Sequence, residues 1–332
     1  MQTKNRVIMG RRRFFHFWFL TVAIAFGFGL SSLSSLYALG PGTTGAQFLK
    51  IGPGARAVAM GEAFVAIADE PAALYWNPAG IVQIKTRQVS FMHNFWFQGV
   101  NYEHLAYVQE LPGPGNEKFG FSLIFLHSGD MVRTLEDASG NYAGTGNNFS
   151  ASDLCLSFSY AWDMGYNHSL GVNLKFINSS IDDVAGNALA VDMGYLFRAT
   201  PWLSVGINAQ NGVVSMPIRF YRGKTPVSAS HSLPINGKIG LAYKLMQNRF
   251  IIALDFNFPV ENRVNYHIGA EYRLTDSLFL RAGYKTDFAQ DNVLSGLSIG
   301  AGYTFKGYTL DYAFVPYGDL GFTHRISVLV KF

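Results

Sequence analysis

Charge is scarce in this chain: 14% of its 332 residues are Asp, Glu, Lys or Arg, against 49% hydrophobic and 15% aromatic. A sequence so poor in charge and so rich in aromatic side chains is neither intrinsically disordered nor a coiled coil. Cysteine is nearly absent. The single Cys155 excludes a disulfide framework and any zinc site of the CxxC kind. Beyond residue 40 no apolar run reaches the roughly 18 residues that a spanning helix requires. The eight histidines, His104, His127, His267 and His324 among them, show no HExxH or other close ligand spacing. Neither a metal nor a cofactor is expected.

Two short strings imitate known sites without their context. Gly40, Gly42 and Gly45 spell GxGxxG, but no strand precedes them, as a dinucleotide fold requires. Gly296, Ser298 and Gly300 spell GxSxG, yet a nucleophile elbow needs a strand-to-helix turn and this string lies inside an alternating segment. Ser298 is expected to face inward as a small filler. No catalytic set converges in sequence, so the chain is read as non-enzymatic.

The formal charge of +4 comes from the N-terminus. Lys4, Arg6, Arg11, Arg12 and Arg13 precede an apolar stretch over 14–30 and then small residues up to Ala38. That is the three-part layout of a cleaved secretory signal peptide over 1–38, with an uncleaved anchor as the alternative. Without those five basic residues the remainder has 21 basic against 22 acidic side chains. No nucleic-acid footprint is left.

From residue 88 onward apolar and small or polar residues alternate in segments of about ten, the period of a two-faced strand. Over 167–176, Leu170, Val172, Leu174 and Phe176 share one face, and Ser169, Gly171, Asn173 and Lys175 the other. Fourteen such segments are expected, at 88–97, 101–110, 118–127, 152–162, 167–178, 187–199, 202–210, 235–245, 249–258, 264–274, 277–286, 294–304, 307–315 and 322–332. Short connectors alternate with longer ones at 128–151, 179–186, 211–234, 259–263, 287–293 and 316–321. Short turns on one rim and longer loops on the other are the organisation of an outer-membrane barrel.

The second face carries mostly Gly, Ser, Ala and Asn with a few charges, as a lumen does, while aromatic residues recur at segment ends where interfacial girdles sit. Parity places Lys175, Asp192, Lys238, Asp255, Glu271, Arg273, Arg281 and Asp311 in the lumen. Lipid cannot satisfy an open sheet edge, so the sheet must close. The expected fold is all-β: a transmembrane antiparallel barrel of about 14 strands over 88–332, outer-membrane lipid around it, with an N-terminal hatch over 39–87. In the last segment Phe322, His324, Ile326, Val328, Val330 and Phe332 form one face. An amphipathic closing strand ending in Phe resembles the signal read by the barrel-assembly machinery.

Residues 43–87 are rich in Gly and Ala without sustained alternation, and Pro71 to Tyr75 suggest a short helix ended by Asn77-Pro78 and Gly80. With so few charges this stretch needs a surface to pack on, and the lumen offers one. Its strings LKIG, ARAVAMGEAFVA and LYWNPAG, the pair Asp69-Glu70, and the closing GDLGFTHRISVLVKF resemble the PorV/PorQ family, related to FadL-type outer-membrane proteins. The resemblance implies a fourteen-stranded barrel plugged by a hatch. Arg56, Gly61, Asp69, Trp76, Asn77, Pro78, Ala79 and Gly80 are the hatch positions it highlights, with Arg56 expected to pair with Glu62 or Asp69 if buried.

Two functions follow from that resemblance. PorV-like proteins are partners of the type IX secretion translocon and its cargo; FadL-type proteins carry hydrophobic small molecules. The weight of the resemblance lies with the secretion partner, and the hydrophobic channel is the alternative. In either case Val213, Val214, Met216, Ile218, Phe220, Tyr221 and Arg222 form the candidate ligand or partner loop, apolar enough for a pocket and rich in hot-spot residue types.

Overall fold

The computed structural model describes residues 40–113, 115–287 and 293–332. The expected leader lies outside the described residues. Fourteen strands build the wall: β1 Gln88–Phe95, β2 Asn101–Glu110, β3 Lys118–Met131, β4 Phe149–Gly165, β5 His168–Ile181, β6 Val184–Arg198 and β7 Leu203–Ser215. Then come β8 Asn236–Leu245, β9 Phe250–Pro259, β10 Asn265–Arg273, β11 Leu278–Lys285, β12 Leu297–Phe305, β13 Tyr308–Pro316 and β14 Phe322–Lys331. Each pairs antiparallel with its neighbours in sequence, and β1 pairs with β14 from Gln88↔Lys331 to Phe95↔His324, which closes the barrel.

Alternation decides what each face meets. On β5 Ser169, Gly171, Asn173 and Lys175 are buried inward while Leu174 and Phe176 stand exposed outward. The outer band continues through Phe158, Leu241, Ile268, Leu280, Ile299 and Leu310, all exposed. Tyr243, Tyr272, Tyr303 and Trp202 gird the short-turn rim, and Phe95, Tyr266 and Phe322 the long-loop rim. An apolar waist between aromatic girdles is a surface made for hydrocarbon. On β14 Phe322, Ile326 and Val328 are exposed on the lipid side, as is Phe332 just beyond it, with Thr323, Arg325, Ser327 and Leu329 buried inside.

Strands β3 to β7 are longer than the alternation suggests. The expected loop 179–186 is instead nearly all strand, turned at Asp182 and Asp183. Its outward positions are polar because this part stands beyond the apolar band, so the hydrophobic signal disappears while the ladder continues. The expected loop 128–151 contains a hairpin of Thr134–Glu136 and Tyr142–Thr145. Within 211–234, Arg219–Arg222 adds to the edge of β6 at Val184 to Asn187. Between β6 and β7 the register jumps from Val191↔Val214 to Met193↔Ala209. Residues 210–213 therefore bulge opposite Asp192, whose carboxylate accepts the Asn211 N–H at 2.7 Å and pairs with Lys175 at 2.6 Å.

Candidate functional site

The hatch enters at the long-loop mouth and leaves at the short-turn rim into β1. At the mouth Gly45 N–H donates to Ser232 O at 2.8 Å, and the Ile218↔His231 bridge lies beside it. Thr44, Gln47 and Lys50 all converge on Glu261. The chain then forms two short helices, α1 Ala55–Ala59 and α2 Ala73–Trp76, where alanine favours the helix. A 3₁₀ turn, Pro78–Gln83, follows; Asn77 Oδ1 accepts the Ala79 N–H and Pro78 opens the turn without an N–H to waste.

Three cross-strand glycine pairs seat this backbone. Gly171↔Gly194 receives Asn77 and Pro78, Gly206↔Gly240 receives Val65 and Ala66, and Gly269↔Gly283 receives Met60 and Gly61. At every one of the six a Cβ would meet hatch atoms within about 3 Å. Directly opposed residues point to the same face, so each pair is a flat window in the side-chain layer. Polar side chains tie the seats down: Asn208 Nδ2 donates to Trp76 O at 2.7 Å, Gln210 Nε2 to Tyr75 O at 2.7 Å, and Asn77 Nδ2 to Val65 O and Tyr195 O at 2.9 and 3.0 Å. Ser298 Oγ accepts the Gly61 N–H at 3.0 Å. It lies within strand β12 and not at a strand-to-helix turn.

Charges lock the lower part. Arg56 pairs with Asp69 at 2.6 Å, with Glu70 at 3.3 Å and with both oxygens of Glu271 at 2.7 and 2.8 Å. Arg281 reaches Glu271 and Asp311, each at 2.6 Å. Of the two expected partners, Asp69 is the one used; Glu62 pairs instead with Lys285 at 2.7 Å. Burial pushes the Glu70 carboxyl up to about 7, against the opposing pull of Arg56. For Glu62 burial also pushes upward, but Lys285 and other cations outweigh it and hold the carboxyl below its ordinary range.

Above the hatch lies a cavity of about 290 Å³. Leu49, Ile51, Glu62 and Tyr75 line it from the hatch, and Trp96 and Tyr317 from the loops after β1 and β13. Arg325, fully buried, orients Tyr317 by donating to its hydroxyl at 3.1 Å and holds the hatch through Gly52 O at 2.8 Å. The remaining lining is rich in amides, including Gln210, Asn211, Asn236, Asn257 and Asn265, together with Lys238, His267, Lys285 and Asp287. It opens to solvent past Lys50 and Asn262.

The expected hatch residues Arg56, Gly61, Asp69, Trp76, Asn77, Pro78, Ala79 and Gly80 all lie in this plug, and Trp76 Nε1 donates to Pro53 O at 2.9 Å. Of the expected lumen charges Lys175, Asp192, Lys238, Asp255, Glu271, Arg281 and Asp311 are buried inside and Arg273 is half-buried. The candidate loop does not line the cavity. Val213, Val214, Met216 and Tyr221 are exposed; Ile218 is buried against the hatch with Leu233, and Phe220 packs beside them. Arg222 pairs with Asp183 at 2.8 Å. The apolar residues were legible, but their direction depends on the loop over 216–235 folding back onto Gly45. The cavity amides read in sequence as lumen filler, and nothing short of strand register gathers them. Among the described residues no cluster could hold a metal ion.

Comparison with known proteins follows the same lines. Residues 37–177, the hatch and most of the first five strands, match the model of the uncharacterised protein family UPF0164. No curated protein matches in sequence. The Pseudomonas putida toluene transporter TodX is similar in structure, with a TM-score of 0.59 at 14% identity, over 85% of this chain and 99% of that one. The CymD monoaromatic hydrocarbon channel gives 0.57 at 16% identity, over 85% of this chain and 98% of that one. A Pseudomonas aeruginosa FadL homologue gives 0.54 at 13%, over 84% of this chain and 97% of that one. The fold is that of FadL-type outer-membrane barrels.

Proposed function

We propose that this protein is a non-catalytic channel of the outer membrane, of the plugged FadL-like kind, admitting small hydrophobic or amphipathic compounds at the long-loop mouth. The observation that carries the reading is the cavity of about 290 Å³ between that mouth and the hatch, walled by Tyr75, Trp96 and Tyr317. Its size suits a single-ring compound, and concave sites with aromatic walls and a few placed polar groups are the usual form of small-molecule sites. The solved neighbours named as a toluene transporter and a monoaromatic hydrocarbon channel support the same class. The secretion-partner reading rests on the PorV/PorQ resemblance alone. The loop over 216–235 buries Ile218 and Leu233 on the hatch, while Val213, Val214, Met216 and Tyr221 are exposed.

The test is uptake of toluene and benzyl alcohol by Gram-negative cells with an intact lipopolysaccharide layer, with and without this barrel. A several-fold faster uptake that Asn236→Trp abolishes by filling the cavity is the expected result. Unchanged uptake, with co-purification of a translocon or of exported proteins sharing a C-terminal domain, would transfer the assignment to secretion.

A further inference from the structure

Three lysines line the cavity, and among the described residues two of them have an anion and one does not. Lys50 is taken by Glu261 and Lys285 by Glu62. Asp287 has His267 at 3.5 Å. Lys238 is 5% exposed, and among the described residues no carboxylate stands within ion-pairing distance and no hydrogen bond is made to its Nζ. Its ammonium lies over the rings of Trp76 at 4.6 Å and Tyr75 at 5.7 Å and faces the cavity. The rings partly offset the charge, but a buried ammonium without an anion is costly. Around it, Asn236 and Asn265 use their side-chain oxygens to accept from Phe258 N–H and Asn257 Nδ2, which leaves both of their own amide groups without a partner among the described residues. Asn257 Oδ1 and His267 Nδ1 are likewise buried without a hydrogen bond.

We infer that the cavity binds a small organic monoanion, a compact carboxylate carried on a ring or short chain, with its negative group at Lys238 and the amides of Asn236 and Asn265 within reach. This rests on the channel reading and narrows it. A plain hydrocarbon would leave the ammonium and the amides dry and unpaired, each at a cost in free energy. A phosphate dianion fits badly, because Lys50 and Lys285 are already neutralised and Glu62 and Asp287 line the same space. The one lining lysine without an anion among the described residues calls for a single negative group. The flat faces of Tyr75, Trp96 and Tyr317 suit the apolar remainder of such a ligand.

Isothermal titration of the purified full barrel in detergent micelles, with benzoate and its neutral analogue benzyl alcohol, tests this. Benzoate is expected to bind at least tenfold more tightly than benzyl alcohol. Lys238→Met should erase that preference and Lys238→Arg should restore it, while both variants keep the heat-modifiable mobility of a folded barrel. Equal binding of the two compounds, no binding of benzoate, or a preference that survives Lys238→Met overturns the inference. The uptake assay with neutral solutes decides the channel reading independently: uptake of toluene with no benzoate preference would leave the channel and remove the anion site.

Discussion

Around the lower hatch, charge is matched to charge: Arg56 is surrounded by Asp69, Glu70 and Glu271, and Arg281 bridges Glu271 to Asp311. Asp255 Oδ2 accepts the N–H groups of Phe64 and Val65 at 2.8 and 2.9 Å. Above Tyr75 the wall keeps the same inward parity, yet amides face open space and, among the described residues, Lys238 has no anion. The difference teaches that a lumen position's role is set by what the chain places opposite it. Where the hatch is opposite, polar groups are spent on structure. Where nothing is, they remain available to a solute.

The largest way to break this contrast is Arg56→Met. It leaves Asp69 and Glu70 without their cation while Glu271 keeps Arg281. Removing one partner of a buried ion cluster costs about 3–5 kcal/mol. The hatch should become sensitive to protease and fast in hydrogen exchange while the strands stay protected; an unchanged exchange pattern would show that the lower cluster is not what seats it. Next is Gly283→Val, which drives a branched side chain into the Met60 and Gly61 backbone. Overpacking of this kind costs about 1–3 kcal/mol or more, and the same readout should show the hatch displaced.

A change of pH sharpens the comparison without altering a residue. Because Glu70 is pushed up to about 7 by burial, the seated hatch favours its protonated form. The stabilisation is complete below the ordinary carboxylate range and is lost as pH rises towards and through about 7. Hatch protection, taken as the ratio of the intrinsic to the observed exchange rate, should therefore fall between pH 5 and pH 8, and Glu70→Gln should flatten that fall. Glu62, held low by Lys285 despite its burial, titrates on the acid side of this window. The smallest effect belongs to the upper lumen: Asn265→Ala gives up one hydrogen bond from Asn257 and should cost about 1 kcal/mol of barrel stability while weakening benzoate binding severalfold. A large loss of stability there would erase the distinction between the two regions.

Period-2 alternation made the wall legible, because lipid outside and hatch inside impose different chemistry on alternate residues. The segment expected at 101–110 coincides with Asn101–Glu110, and that at 322–332 runs one residue beyond Phe322–Lys331. The signal stopped where the environment became uniform, so Ser179 to Gly186 read as a loop although water bathes a continuing ladder there. The Arg56–Asp69 pair lay within one short stretch and could be anticipated. Its bond to Glu271, 215 residues away, could not. Each glycine of the three seats is unremarkable in the linear sequence and becomes a seat only when register sets it against another.

The hatch comes off the ribosome before any strand of the wall, yet its seats are assembled from β5 and β6, β7 and β8, and β10 and β11. Its most distant glycine window is therefore made by residues more than two hundred positions later in the chain. Such contacts form late, since the loop entropy is lost before they return anything. The plug is first in synthesis, but its glycine seats exist only once the strands that make them have paired.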